Sequence, residues 1–283
     1  MDYAATTPVA PEVRRAMAPY LNQKFGNPSS IHSWGQEAMA AIEKARQQAA
    51  DFLYCQPEEI IFTAGATEAN NLAIFGVVKQ AMALGIKVDL LTLSGHKIYA
   101  PKGVGLLYVK KGTVLRPLIC GGGQEADRRA GTENTAAIVG MGMALAALNV
   151  QRSRLRGQAT LIAKLRNKLL NGIIKKIPDT IINGSLEHRL PNNINVSFTG
   201  VEGESLVMAL DQAGVAASTG SACSSRDLTP SHVLIAIGRS APSAHASLRL
   251  TLGKYTTEEE INYVLRVLPP IVAKLRKMAP KLS

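Results

Sequence analysis

Apolar residues recur at three- and four-residue spacing over Pro8–Leu21 and Trp34–Leu53, and this spacing predicts two helices. Glu59–Thr63 is a short, mostly apolar run that reads as a strand. A further helix, Thr67–Ala83, opens directly from Gly65-Ala66-Thr67. Val88–Leu93 and Gly105–Val109 read as strands on either side of a polar insertion, Ser94-Gly95-His96-Lys97. Strand, small-residue turn and helix in succession predict an α/β layer fold with a mainly parallel central sheet. A loop then runs through Gly121-Gly122-Gly123 and Arg128–Thr132, followed by a helix over Thr135–Val150 and a second helical stretch over 151–176. Beyond it the pattern becomes α+β. Strands are expected near Asn193–Phe198, Val215–Ser218 and Ala246–Leu250, and helices at Glu204–Gln212 and Thr257–Lys277. The boundary is placed near residue 150, giving a larger domain over 1–150 and a smaller α+β domain over 151–283.

The length, 283 residues, agrees with two domains at about 150 residues each. An apolar share of 46% with 19% charged residues is ordinary globular composition, which excludes disorder, collagen and coiled coil. Three cysteines are too few for a disulfide framework and are expected to be free thiols. The longest apolar run, Ala136–Val150, is too short and too weak to span a bilayer, and the N-terminus shows no signal-peptide pattern. A cytoplasmic protein without membrane contact is expected. The net charge of +11 needs an explanation. Residues 151–176 hold Arg152, Arg154, Arg156, Lys164, Arg166, Lys168, Lys175 and Lys176 and no acid, which raises nucleic-acid binding. An apolar helical repeat (Leu155, Leu161, Ile162, Leu165, Leu169) runs through the same stretch, however, and aromatics are only 5%. One solvated face of an amphipathic helix explains the charge better, and no nucleic-acid partner is expected.

Three segments carry candidate chemistry. Lys97 closes an apolar strand among small and polar residues. A loop lysine is the plain reading; a partly desolvated amine that forms a Schiff base and later acts as a general base is the functional one. In Thr63-Ala64-Gly65-Ala66-Thr67-Glu68, small residues between strand and helix let backbone N–H groups face an anion, although an ordinary helix cap accounts for Thr67 equally well. Ser218–Ser225 sets Cys223 among small and hydroxylated residues, which suits a nucleophile that must travel. Cys120, after Leu118-Ile119, and Cys55 read instead as structural thiols in apolar settings.

These segments together resemble the pyridoxal-phosphate-dependent cysteine desulfurases of the class-V aminotransferase family, in the housekeeping iron–sulfur assembly and nitrogen-fixation group. The resemblance extends to Asp2-Tyr3-Ala4-Ala5-Thr6-Thr7-Pro8, Phe25–Ser30, Gly65–Glu68, Ser94–Lys97, Arg129–Thr132 and the long loop Ser218–Pro230. It implies a fold-type-I transferase with pyridoxal phosphate held covalently by Lys97. Ala66, Thr67, Ser94 and His96 would bind the phosphate, and Thr132 would reach the cofactor of the other subunit, which implies a homodimer. Arg249 would receive the carboxylate of L-cysteine, since its fork matches a planar carboxylate. Cys223 would take the sulfur as a persulfide, release L-alanine, and pass the sulfur to an iron–sulfur scaffold or another acceptor protein. No metal site of its own is implied; Cys223 would be at most a transient iron–sulfur ligand shared with a partner.

The resemblance is interrupted once. In the family a large block separates the helix after Gly-Ala-Thr-Glu from the strand before Ser-Gly-His-Lys, whereas here Gln80–Leu90 joins them almost directly. That block carries the histidine stacked on the cofactor ring, the aspartate on its ring nitrogen and several central strands. The alternative is therefore a catalytically impaired remnant that dimerises or binds a scaffold.

Overall fold

The computed structural model describes residues 1–73, 90–150, 152–219 and 229–278. The side chains of Val150, 152–156 and Gln158 lie outside the description. The chain divides into two compact units, Thr6–Ser153 and Met1–Ala5 with Arg154–Ser283.

The first unit is built on helices packed around a small sheet. Pro8–Leu21, expected as one helix, forms two: α1 (Pro11–Met17) and α2 (Pro19–Asn22). Proline favours the first turn of a helix, so Pro11 and Pro19 each open a new one. α3 (Ser33–Leu53) has buried positions Gly35, Ala38, Ala41, Ile42, Ala45, Ala49 and Ala50, the spacing visible in the sequence. The His32 ring nitrogen Nδ1 accepts the Gly35 N–H at 3.3 Å at its start, and Tyr54 ends it in the left-handed region at φ 56°. α3 lies against α5 (Thr135–Val150) at close range: a Cβ at Gly142 would sit 2.7 Å from the Ala45 backbone. Small residues allow that approach, and Ile42, Met141 and Leu145 fill the space around it.

The sheet of this unit has the order β1 (Ile60–Thr63), β3 (Gly105–Val109), β2 (Leu90–Ser94). Both ladders are antiparallel, which corrects the expectation of a mainly parallel sheet for the described strands. The cause is β3, which returns from β2 through the loop at 95–104 and inserts between β2 and β1. β1 and β2 run in the same direction but do not touch. The chain after β1 is helical over 66–73 (α4), and the rest of the expected helix, with the start of the expected strand at Val88, lies outside the described residues.

The second unit has its own sheet, β4 (Thr180–Ile182), β5 (Asn193–Phe198) and β6 (Ser247–Thr251), again antiparallel. α6 (Arg152–Lys176), α7 (Gly203–Gln212) and α10 (Glu258–Met278) pack on it through Leu169, Ile173, Leu206, Leu210, Ile261 and Leu268. Two short helices, α8 (His232–Ala236) and α9 (Ala241–His245), were not legible as periodic patterns because five residues are too few to show one. Val215–Ser218, expected as a strand, contributes a single bridge from Ser218 to Arg249.

α6 accounts for much of the basic stretch. Leu169, Leu170 and Ile173 face inward while Lys164, Lys168, Lys175 and Lys176 are exposed; Lys168 pairs with Glu258, and Lys176 Nζ donates to the Leu265 carbonyl at 3.0 Å. Arg166 is the exception. It is buried, donating to Asn167 Oδ1 at 2.7 Å and to the Leu190 carbonyl at 3.2 Å. Among the described residues no helix is long and apolar enough to cross a membrane.

One thiol departs from expectation. Cys120 is exposed, not buried, because its neighbours Leu118 and Ile119 are themselves 44% and 40% exposed on an irregular segment. Burial, with a smaller effect from Glu59, pushes the Cys55 thiol up to about 11. At pH 8 its thiolate fraction is then roughly one in a thousand. Limited alkylation at pH 8 is expected to label Cys120 before Cys55, read by peptide mass mapping. Equal rates would show that the Cys55 thiol is not held protonated.

Candidate functional site

Three strand ends of the first unit meet in one row: Thr63 and Ser94 are both paired with Gly105, on opposite sides of β3. This row gathers two motifs that lie some thirty residues apart in sequence. The loop after Thr63 passes so close over β3 that a Cβ at Gly105 would lie 2.7 Å from the Gly65 carbonyl carbon. Any side chain there would push the loop away. The Thr63 hydroxyl donates to the Gly65 carbonyl at 3.1 Å, and α4 begins at Ala66. Its leading N–H groups have no acceptor within the helix, which leaves donors for an anion.

Beside this loop, Ser94 leads into a 3-10 turn, Gly95–Lys97. The turn is held from below by Thr7. The Thr7 N–H and hydroxyl both donate to the His96 carbonyl at 2.9 Å, and Thr7 Oγ1 accepts the Tyr99 N–H at 2.8 Å. Gly95 cannot be larger, since a Cβ would meet the Val104 side chain at 2.8 Å. Tyr99 turns the chain back at φ 68°. His96 Nδ1 lies 3.2 Å from Thr6 Oγ1. Burial, then the charges of Lys97 and Lys102, hold the His96 ring below the ordinary histidine range, which favours neutral imidazole at pH 7. Lys97 and Thr67 are exposed, Ser94, His96 and Ala66 half-buried.

A second link was not legible in the sequence. Glu68 accepts from Arg129 Nε at 2.8 Å and Nη2 at 3.4 Å, and from the Ala64 N–H at 2.9 Å. One carboxylate thus ties the loop at Ala64 to the Arg129–Thr132 segment. Thr132 lines a cavity of about 150 Å³ with Thr63, Ala64 and Arg129. Ala66, Thr67, Ser94, His96, Lys97 and Thr132 therefore all belong to one unit. The pair Glu68–Arg129 and the clamp at Thr7 are separated from their partners by 61 and 89 residues, and no local pattern announces either.

In the other unit, Arg249 lies in β6, half-buried, with Nη2 3.3 Å from Asp2 Oδ1. Cys223 lies outside the described residues. Among the described residues no group of His, Cys, Asp and Glu is arranged to hold a metal ion.

The model of the class-V aminotransferase family matches residues 1–86 and 79–264. Its two matches meet at 79–86, where the resemblance is interrupted. A cysteine desulfurase IscS of Dictyoglomus turgidum is 39% identical, covering 99% of this chain and 96% of that protein. The human cysteine desulfurase is 36% identical over 99% of this chain and 83% of its own length. For the first of these, the 382 aligned positions exceed the 283 residues of the chain by 99, so at least that many positions of the alignment have no counterpart here. Among solved structures, a NifS-like protein superposes with a TM-score of 0.85 at 28% identity, covering 96% of this chain and 98% of the other. A structure titled SspA in complex with cysteine gives a TM-score of 0.70 at 28% identity, over 90% of this chain and 99% of the other.

Proposed function

Because the chain belongs to the class-V aminotransferase family, with cysteine desulfurases as whole-length relatives, we propose that it is a pyridoxal-phosphate-dependent cysteine desulfurase. It takes sulfur from L-cysteine and leaves L-alanine. The observation that carries this reading is the meeting of the Gly65–Thr67 loop, Ser94 and the Lys97 turn around Gly105. A phosphate needs clustered donors, and the leading amides of α4, the Thr67 and Ser94 hydroxyls and His96 are of that kind. The amine that would bond the cofactor is three residues along the chain from Ser94. These residues fit the phosphate end and the carbonyl end of pyridoxal phosphate. Bound there, the cofactor supplies an electron sink that lets the substrate Cα–H bond break.

The chain's own residues do the rest. Arg249 receives the substrate carboxylate through its planar fork. The Lys97 amine would hold the cofactor at its carbonyl end and, when free, would take the Cα proton. The Cys223 thiolate attacks the substrate sulfur: an S–S bond forms, the C–S bond breaks, and protonation of the carbon fragment completes alanine. The persulfide on Cys223 is then passed to a sulfur-acceptor protein, such as an iron–sulfur scaffold. In this reading residues 1–150 carry the cofactor and 151–283 the cysteine loop. Thr132 serves the neighbouring subunit of a homodimer, and the enzyme works in the cytoplasm. The impaired-remnant alternative is not favoured by whole-length relatives that are desulfurases.

The test is the visible spectrum of purified protein with pyridoxal phosphate. A yellow band is expected that borohydride fixes to the Lys97 peptide and that L-cysteine changes. A colourless protein at saturating cofactor overturns the proposal.

A further inference from the structure

Arg249 already has a carboxylate beside it, and that carboxylate cannot easily leave. Asp2 lies on the free edge of β6, where it forms a parallel bridge with Thr251. The Thr251 N–H donates to the Met1 carbonyl at 3.1 Å, and the Ala4 N–H donates to Thr251 Oγ1 at 3.0 Å, so the arm is tied on both sides of Asp2. The other occupant of this edge is Ser218, whose main chain exchanges bonds of 3.3 and 2.7 Å with that of Arg249. The Asp2 carboxylate spans the two. Its Oδ2 accepts the Ser218 hydroxyl at 2.7 Å, and its Oδ1 stands 3.3 Å from Arg249 Nη2. Meanwhile Arg249 Nε is buried and donates to nothing among the described residues. A buried guanidinium N–H without an acceptor is costly, and a ligand that supplies one is favoured.

We infer that Asp2 is a positioning residue: with Ser218 it pins one nitrogen of Arg249, fixing the guanidinium for the carboxylate of an incoming amino acid. The inference rests on the desulfurase reading. An arginine side chain loses much rotamer freedom when it is ordered, and ordering it before the ligand arrives removes that cost from binding. One long contact to a single nitrogen orients the group while leaving its other donors free. A carboxylate that blocked the site would have to move aside, and the backbone bonds of the arm oppose that.

The experiment uses the full chain loaded with pyridoxal phosphate and compares Asp2→Asn with wild type. Two amines are titrated against the cofactor's absorbance: L-cysteine and 2-aminoethanethiol, which lacks the carboxylate. The variant should raise the KM for L-cysteine about tenfold with kcat within about twofold, and leave the titration by 2-aminoethanethiol unchanged. A parallel loss with both amines, or no loss with either, overturns the inference. Ser218→Ala, which keeps the Asp2 charge, should give a smaller shift of the same kind. A second readout needs no cofactor: in ¹⁵N-arginine-labelled protein, the Arg249 Nε–H signal, assigned by its absence in Arg249→Lys, should exchange at least about tenfold faster in Asp2→Asn. Unchanged exchange overturns the positioning role. If wild type shows no response to L-cysteine while Asp2→Asn still speeds this exchange, the desulfurase reading fails and the pinning of Arg249 stands.

Discussion

Lys97→Ala is expected to abolish covalent retention of pyridoxal phosphate and to lower sulfide release from L-cysteine by about 10³-fold or more, the scale of losing both a covalent anchor and a general base. The fold should survive, because the turn at Gly95–Lys97 is held by backbone groups. Thr7 donates twice to the His96 carbonyl and accepts from the Tyr99 N–H, and none of these bonds involves the lysine side chain. Circular dichroism matching wild type, with no cofactor fixed by borohydride, is the expected pair of results. Cys223→Ser gives the complementary outcome: the cofactor band and its response to L-cysteine remain, while sulfide release is lost. A Lys97→Ala protein that still fixes cofactor would place the reactive amine elsewhere.

The second large effect concerns stability. Glu125→Ala should destabilise the first unit by about 3–5 kcal/mol, as expected when one member of a buried ion pair is removed. The Glu125 side chain is 1% exposed and that of Arg46 11%. Arg46 Nη1 and Nη2 donate to the two Glu125 oxygens at 2.8 and 2.9 Å, in the fork geometry of a strong pair. Glu125 Oε2 also accepts the Phe62 N–H at 3.0 Å, and Arg46 Nη1 donates to the Ile60 carbonyl at 2.8 Å. The pair thus satisfies the Ile60 carbonyl and the Phe62 N–H of β1 and fastens that strand to α3. Truncation would leave a half-buried guanidinium and a strand amide unpaired. Urea denaturation followed by linear extrapolation measures the loss. A value below about 1 kcal/mol would mean that water replaces the carboxylate. The double variant Arg46→Met with Glu125→Leu should recover most of the stability, because it removes both buried charges together.

What the sequence made legible were the elements with a local signature. α3 shows its buried alanines at helical spacing, and β3 and α5 lie where their apolar runs predict. The candidate site residues come from motifs; the structure has Ala66, Thr67, Ser94, His96, Lys97 and Thr132 in one unit and Arg249 in the other, and Cys223 lies outside the described residues. Strand direction was not legible. Whether β3 returns beside β2 or crosses over is decided by the loop at 95–104 and by what lies on the far side of the sheet, and neither leaves a period in the chain. The exposure of Cys120 is hidden from the sequence for a related reason: Leu118 and Ile119 are apolar, yet among the described residues they stay 44% and 40% exposed. The carboxylate links at Glu68 and Glu125 were invisible because their partners lie 61 and 79 residues away. Glu125 adds a conformational signal that composition hides, since it and the next two residues, Ala126 and Asp127, all have φ between 50° and 61°. Three left-handed non-glycine residues in succession are unfavourable on their own, and the buried pair is what holds the first of them there.

The first five residues belong to the unit completed by the last hundred and thirty, which imposes an order on folding during synthesis. As the chain leaves the ribosome, Met1–Ala5 emerges before β6 exists, and the strand edge that will receive it is made more than two hundred residues later. The unit over Thr6–Ser153 is complete in the nascent chain well before then and can fold first. The arm must wait, unpaired, until β6 is made. A ribosome stalled before residue 247 would therefore carry one folded unit and an arm with no strand to join.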